Sequence, residues 1–74
     1  MPQGPCNVYA MIGKNLLRLR KASGLSQVAL SERAKINRRY YQELEASERN
    51  PTVRVAAKLR KVLKCKWDDI LKGL

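Results

Sequence analysis

The segment "QVALSERAKINRRYYQEL" (Gln27–Leu44) decides the fold of this chain, because it contains two short helical patterns in close succession. In the first pattern Leu30 and Ala34 lie one helical turn apart, on the same side of a helix. In the second pattern Tyr41 and Leu44 are spaced so that they also share one side. Two short amphipathic helices joined by so few residues must pack against each other, and we therefore predict a pair of helices here.

The boundaries of these two helices are marked by residues that favour helix ends. Ser26 and Asn37 are natural N-caps, because their side-chain oxygens accept hydrogen bonds from free backbone N–H groups. Ile36 lies in the connection as an inward-facing residue, and the small Ser31 lies where the two helices would cross closely. This arrangement has the geometry of a helix-turn-helix.

Three further helices surround this pair. Ile12, Leu16 and Leu19 predict a first helix over about Val8–Ala22, which Gly24 ends. Thr52 can cap or open a fourth helix, whose apolar stripe is Ala56, Leu59 and Leu63, and a short fifth helix carries Trp67, Ile70 and Leu71. We therefore predict an all-α, five-helix domain over residues 8–74, preceded by a flexible leader over residues 1–7.

The charge balance indicates the kind of partner. Sixteen Lys and Arg residues against six Asp and Glu give a formal net charge of +10. Such an excess favours a polyanion, with nucleic acid first and an anionic membrane surface second. No stretch approaches the roughly 20 apolar residues that cross a bilayer, and no secretory signal is evident, so we expect a cytoplasmic protein without a membrane partner.

The residues that enzymes use are scarce. The chain contains no histidine, and its two cysteines, Cys6 and Cys65, are far apart in sequence. No nucleophile and base stand at a catalytic spacing, and Asp68 and Asp69 suit the N-terminal end of the fifth helix. We expect no metal, no cofactor, no small-molecule ligand and no enzymatic activity.

Several segments in order carry a family resemblance. They are "IGKNLLRLRKASGLSQ", "LSERAKI", the "LE" at Leu44–Glu45, "ERNPT" and "WDDIL", and together they extend from Ile12 to Leu71. The chain resembles the helix-turn-helix domains of phage Cro and repressor proteins, also called XRE-type. The resemblance implies a compact lambda-repressor-like domain that binds double-stranded DNA. Many members are homodimers, and some of this minimal length control restriction–modification operons or phage promoters.

Two positions depart from the family pattern. Lys35, in the turn between the second and third helices, and Ser47, after the third helix, replace residues that are usually glycine in the family. A left-handed backbone conformation at Lys35 would cost roughly 1 kcal/mol. The turn geometry is therefore a point that the structure must test.

The third helix, predicted over residues 37–46, presents the candidate base-reading residues. With Tyr41, Leu44 and Glu45 facing inward, the residues that face outward or project from its N-terminal end include Arg38, Arg39, Gln42 and Glu43. Arginine can donate two parallel hydrogen bonds to guanine, and glutamate can accept from cytosine. The blander interpretation, a surface ion pair between Arg39 and Glu43, stays open, as does contact of Arg38 with phosphate.

A second set of residues is expected to contact the DNA backbone. By resemblance, Gln27 at the start of the second helix binds a phosphate, where exposed backbone N–H groups also favour an anion. Asn37, Tyr40 and Arg49 are further candidates for phosphate contact. The alternative for Gln27 is an ordinary polar residue in the first turn of a helix.

The resemblance also implies a partly buried ion pair. Arg20 and Glu45 would connect the first helix to the end of the third, whereas the alternative is two independent solvated charges. If the pair is buried, removal of one partner strands the other charge.

The C-terminal residues are the candidate dimer surface. Trp67, Ile70, Leu71 and Leu74 offer more apolar surface than a short helix needs, although burial of Trp67 in its own monomer is an alternative. A two-fold dimer would hold its third helices about 34 Å apart, one turn of DNA, and would bind an inverted repeat.

The sequence therefore favours a non-enzymatic, sequence-specific transcriptional regulator. Two other functions remain open: an antitoxin-like DNA-binding partner of a toxin protein, and a nucleic-acid binder driven by charge alone. The last predicts steep salt dependence without sequence preference. Met11 is an alternative start.

Overall fold

Five α-helices form the part of the chain that the structure, a computed structural model, describes, namely residues 8–73. They are α1 (Val8–Ser23), α2 (Gln27–Ala34), α3 (Arg38–Glu45), α4 (Val53–Leu63) and α5 (Trp67–Ile70). No strand occurs within these residues. The predicted all-α fold with five helices is confirmed, and the predicted leader, residues 1–7, lies outside the described part.

The predicted N-caps account for three of the helix starts. Ser26 Oγ accepts a hydrogen bond from the Ala29 backbone N–H at 3.0 Å. At the start of α3, Asn37 Oδ1 accepts a hydrogen bond from the Tyr40 N–H at 3.0 Å. At the start of α4, Thr52 Oγ1 accepts one from the Val55 N–H at 3.1 Å. Each cap satisfies a donor that the helix itself leaves free, and the prediction of all three is confirmed.

Left-handed residues end α2, α3 and α4. Lys35 (φ 57°), Ser47 (φ 66°) and Lys64 (φ 54°) adopt the conformation that glycine takes without strain. At the end of α2, the Lys35 N–H donates to the Glu32 carbonyl and the Ile36 N–H to the Ser31 carbonyl, which is the Schellman pattern. Lys35 and Ser47, which stand where the family usually has glycine, therefore adopt the left-handed conformation despite its cost in backbone energy.

The hydrophobic core lies beneath α3. Leu16, Leu30, Tyr41, Leu44 and Leu59, from four helices, are all fully buried. Tyr41 is the largest of them, as expected for a core residue rather than a stacking platform. Because α1 and α2 pack directly against α3, the orientation of α3 is fixed and its opposite side is left to solvent.

Gly13 allows α1 to approach the end of α3 closely. A Cβ atom at this position would lie 2.7 Å from the Leu44 carbonyl oxygen and 2.7 Å from Ser47 Oγ. The requirement at Gly13 is thus space rather than backbone freedom, because the residue lies within a regular helix. No local sequence pattern marks this glycine.

A buried polar residue, Asn15, attaches the C-terminal segment to α1. Its Nδ2 donates to the carbonyl oxygens of Ile70, at 2.7 Å, and Lys72, at 2.9 Å. Ile70 itself is only 1% exposed and belongs to the core. The prediction that Ile70 belongs to the dimer surface is therefore wrong, since its side chain is buried within the monomer.

Candidate nucleic-acid interface

The outward side of α3 is lined by polar and cationic side chains. Arg38, Arg39 and Gln42 are exposed, and the Arg39 side chain retains 87% of its accessible surface. The helix has eight residues and is held from below by Tyr41 and Leu44. Rigid anchoring on one side and free guanidinium groups on the other are what major-groove reading requires.

Glu43, also on this side, is the centre of a small charge cluster. Its Oε1 lies 2.6 Å from Arg49 Nε, and its Oε2 lies 3.9 Å from Arg39 Nε. The Arg49 guanidinium in turn lies over the Tyr40 ring, 5.6 Å from its centroid. With Asn37, these residues line one shallow depression on the surface.

The cluster brings predicted base-reading and predicted phosphate-binding residues together. The Arg39–Glu43 contact is long and exposed, so it contributes little to stability and leaves the guanidinium available. Arg49 forms the shorter contact and limits how freely Glu43 can reach a base. The ion-pair interpretation of Glu43 is therefore supported through Arg49, a partner that the sequence analysis had assigned to phosphate.

On the inward side of α3, Glu45 is the acceptor of a partly buried hydrogen-bond network. Arg20 Nε and Nη2 lie 2.5 and 3.2 Å from its two carboxylate oxygens. Gln27 Nε2 donates to Glu45 Oε1 at 2.9 Å, and the Tyr41 hydroxyl donates to Oε2. Arg20 Nη1 also donates to the Leu25 carbonyl oxygen at 2.9 Å. The Arg20 and Glu45 side chains are only 14% and 5% exposed.

The network stabilises the ionised form of Glu45. Burial alone raises the pKa of this carboxyl group, but the hydrogen bonds from its three donors outweigh that effect and the pKa is lowered. The hydrogen bond with Glu45 raises the pKa of Arg20. Burial, followed by the hydrogen bond to Glu45, raises the pKa of the Tyr41 hydroxyl, which stays protonated.

Gln27, the predicted phosphate contact, is joined to this network. It is the first residue of α2 and is partly buried, and one N–H of its amide is used by Glu45. An amide NH₂ group carries two N–H donors, so one remains for a ligand. The structure thus places Gln27 at the start of α2 with its orientation fixed from behind by α3.

Sequence reasoning missed the roles of Gln27 and Tyr41 in this network. Gln27 and Glu45 are 18 residues apart, and no local pattern connects them. Tyr41 could have indicated its own part in the network. A buried tyrosine hydroxyl needs a hydrogen-bond partner, and Glu45 lies four residues further along the same helix.

The C-terminal surface is smaller than the sequence suggested. Trp67 and Leu71 are 38% and 42% exposed, while Leu74 lies outside the described residues. The Arg60 guanidinium lies over the Trp67 ring, 5.4 Å from its centroid. Of the four predicted dimer residues, only Trp67 and Leu71 therefore present a described apolar surface.

Two observations on the described part of the chain concern membranes and metal ions. No helix there is both long enough and apolar enough to cross a bilayer. Residues 8–73 also hold no group of three or more His, Cys, Asp or Glu side chains arranged to bind a metal ion.

Comparisons with known proteins agree with this geometry. A model of a helix-turn-helix family (HTH_3) matches residues 16–70. The chain is 40% identical over 43 residues to an uncharacterized HTH-type transcriptional regulator, y4dJ, of Sinorhizobium fredii; the match covers 58% of this chain and 56% of that protein. Its fold is similar to the restriction-modification controller protein C.AhdI from Aeromonas hydrophila, with a TM-score of 0.80, 29% sequence identity, and coverage of 84% of this chain and 94% of that chain.

The chain therefore belongs to the helix-turn-helix family, and the resemblance seen in the sequence is confirmed. In DNA-binding proteins with this motif, the second helix of the motif enters the major groove. The helix at that position here is α3. The sequence relative is named an HTH-type transcriptional regulator, and the structural neighbour is named a controller protein. The chain spans about half the length of the curated relative that it matches, 56%.

Proposed function

We propose that this protein is a sequence-specific transcriptional regulator that binds an inverted-repeat operator as a homodimer, with α3 in the major groove. The observation that carries the proposal is the contrast across α3: Arg39 is 87% exposed on one side, while Tyr41 and Leu44 are fully buried on the other. A helix fixed in this way can present the same donors to every base pair that it meets. It therefore discriminates among sequences rather than adapting to them.

The base-reading residues are Arg38 and Arg39, with Gln42 and Glu43 further along α3. The N-terminal turn of a recognition helix lies nearest the bases, and both arginines lie in that turn. Each can donate two hydrogen bonds to guanine O6 and N7, worth about 1–3 kcal/mol of discrimination per good pair. Glu43 accepts from cytosine when Arg49 moves to a phosphate.

The phosphate contacts are assigned to Gln27, Asn37, Tyr40 and Arg49. Gln27 uses its second amide N–H and the free backbone N–H groups at the start of α2. Asn37, whose Oδ1 caps α3, keeps its amide N–H groups for an anion. These contacts fix the register of α3 and carry no base preference of their own.

The proposed dimer uses the exposed surface of Trp67 and Leu71, with Leu74 as the continuing residue. Both described side chains are apolar and more than one third exposed on a small domain. A two-fold pairing here would present two copies of α3 about 34 Å apart. A leucine-to-glutamate change at Leu71 is expected to give a monomer in sedimentation experiments without unfolding the domain.

The names of the two similar proteins support this proposal. One is an HTH-type transcriptional regulator, and the other is a controller protein of a restriction-modification system. We propose a regulator of the same general kind, which acts by occupying a promoter.

The proposal is tested by selection of bound duplexes from a random-sequence library. The expected result is an inverted repeat whose half-sites are centred about 10 base pairs apart, or a multiple of that spacing. Enrichment of no motif, with affinity that depends only on salt, would instead establish charge-driven binding and reject sequence-specific regulation.

A further inference from the structure

A second cationic surface, which shares no residue with the charge cluster on α3, lies between the C-terminal end of α2 and the C-terminal half of α4. We call it the α2–α4 groove, and its lining residues are Arg33, Ala34, Lys35, Lys58, Lys61 and Val62. Four of these six residues are cations, none is acidic, and the only apolar lining residues are Ala34 and Val62. The four cations are exposed.

The positive charges of this groove are not neutralised within the described residues. Among residues 8–73, the ion pairs within 4.0 Å involve Arg20, Arg39 and Arg49, and none involves a groove cation. Four like charges around one concavity raise the local potential and attract an anion from solution. The groove thus differs from the surface of α3, where Glu43 offsets part of the charge.

The turn residue Lys35 contributes one of the four groove cations. Its φ of 57° is a conformation that glycine adopts without strain, and Ser47 and Lys64 share it at the ends of α3 and α4. At Lys35 the turn carries a long cationic side chain that lines the groove.

The position of Lys35 relative to α3 suggests the occupant. Lys35 precedes Arg38, the first residue of α3, by three residues, which span at most about 10 Å. When the N-terminal turn of α3 lies in the major groove, the turn before it lies beside one of the sugar-phosphate strands that bound that groove. The α2–α4 groove continues from this point along α4.

We propose that the α2–α4 groove binds the phosphodiester backbone of duplex DNA beyond the base pairs that α3 contacts. The inference rests on the proposed function and extends it, because it assigns part of the affinity to DNA that flanks the operator half-site. An acidic protein partner fits less well. Protein interfaces have apolar cores and are depleted in lysine, whereas this groove is lined by three lysines and only two apolar residues.

The experiment compares two operator duplexes, one that ends at the selected half-sites and one with about one helical turn of random sequence added at each end. Dissociation constants are measured by fluorescence anisotropy over a range of salt concentrations. The groove variant carries Lys58→Gln and Lys61→Gln. The matched control carries Lys14→Gln and Lys21→Gln, which remove two exposed lysines from α1.

The wild-type protein is expected to bind the longer duplex at least ~10-fold more tightly at low salt, with a steeper salt dependence. Each phosphate contact contributes about 0.9 to the slope of log K against log salt, so the groove variant should lose about 1.8 per protomer on the longer duplex. Its affinity for the shorter duplex should be unchanged. The control should lose much less, and circular dichroism should show both variants folded.

Two results would overturn the inference: equal wild-type affinity for the two duplexes, or equal losses in the groove variant and the control. An unaffected groove variant would also reject a DNA role for this surface. A failure of the proposed function gives a different result. Arg39→Ala would then leave the base preference unchanged, regardless of how tightly the groove variant binds either duplex.

Discussion

The two sides of α3 carry glutamates only two residues apart in sequence, and the two behave as different groups. Glu45, on the inward side, is 5% exposed and accepts hydrogen bonds from Arg20, Gln27 and Tyr41. Glu43, on the outward side, is 27% exposed and contacts Arg49 and, at a longer distance, Arg39. The same carboxylate is therefore a fixed part of the fold at one position and an exchangeable surface charge at the other.

This difference separates stability from recognition on a single helix. A buried, fully hydrogen-bonded ion pair is costly to disrupt, because removal of one partner leaves the other desolvated and unpaired. An exposed pair is weak, because water and salt screen it. Residues on the outward side of α3 can therefore exchange protein contacts for DNA contacts at little cost, while the inward side holds the helix in place.

The largest expected effect comes from removal of the inward carboxylate. Glu45→Ala strands the Arg20 guanidinium and leaves the Tyr41 hydroxyl without its acceptor, so the free energy of unfolding should fall by about 3–5 kcal/mol. Glu43→Ala is the matched control and should change it by about 0.5 kcal/mol or less. Chemical denaturation measures both values, and a loss below about 1 kcal/mol for Glu45→Ala would contradict a buried pair.

The outward side is tested by Arg39→Ala. The side chain is 87% exposed, so stability should not change, but preference at one operator position should relax by about 1–3 kcal/mol. Gln27→Ala, by comparison, should weaken binding about equally across sequences. Competition binding with single-base operator variants measures the difference, and equal effects of Arg39→Ala on cognate and random DNA would argue against base reading.

The close approach of α1 to the end of α3 is tested by Gly13→Ala. The new Cβ atom would lie 2.7 Å from the Leu44 carbonyl oxygen, so the helices must separate, at a cost of about 1–3 kcal/mol. The better helix propensity of alanine offsets about 1 kcal/mol of this. Lys14→Ala, at the next position and exposed, is the control. An unchanged denaturation midpoint for Gly13→Ala would show that the contact is not tight.

The smallest expected effect is the response of Glu45 to pH, because protonation removes its charge and leaves its side chain in place. Its pKa is lowered by folding from an ordinary value of about 4.3, so its contribution to stability is complete above that pH. The contribution is lost as the pH falls through the lowered pKa. Glu45→Gln should therefore show a shallower loss of unfolding free energy as the pH falls below about 4.3. If the unfolding free energies of the wild-type protein and Glu45→Gln fall equally with pH, the lowered pKa of Glu45 is contradicted.

Much of the fold could be predicted because it depends on short-range patterns. Ser26, Asn37 and Thr52 were correctly identified as N-caps, since a cap is defined by a side chain and an N–H group three residues away. The apolar stripe on α3 is also a short-range pattern, and it correctly predicted which side of the helix faces inward and which faces outward. Those sides were enough to nominate Arg38 and Arg39 as exposed residues.

The wrong prediction for Ile70 and the missed contact of Gln27 have a common physical origin. Ile70 is apolar and lies on a short helix, which suggested a dimer surface, but Asn15 binds the Ile70 carbonyl, 55 residues away in sequence, and holds the C-terminal segment on α1. The contact of Gln27 with Glu45 is also non-local, and the phosphate contact of Gln27 stays a prediction. Short-range sequence patterns carry no information about contacts between residues so far apart in the chain.

The sequence by itself determined that the chain is helical, where α2, α3 and α4 begin, which side of α3 faces inward, and that the net charge is strongly positive. These properties depend on backbone preference, local spacing and composition, which neighbouring residues set without the rest of the molecule. Only the tertiary structure decided which charges are neutralised and which stay free. Pairing requires atoms within about 4 Å, and for Arg20 and Glu45, 25 residues apart, only the packing of α1 against α3 brings them together.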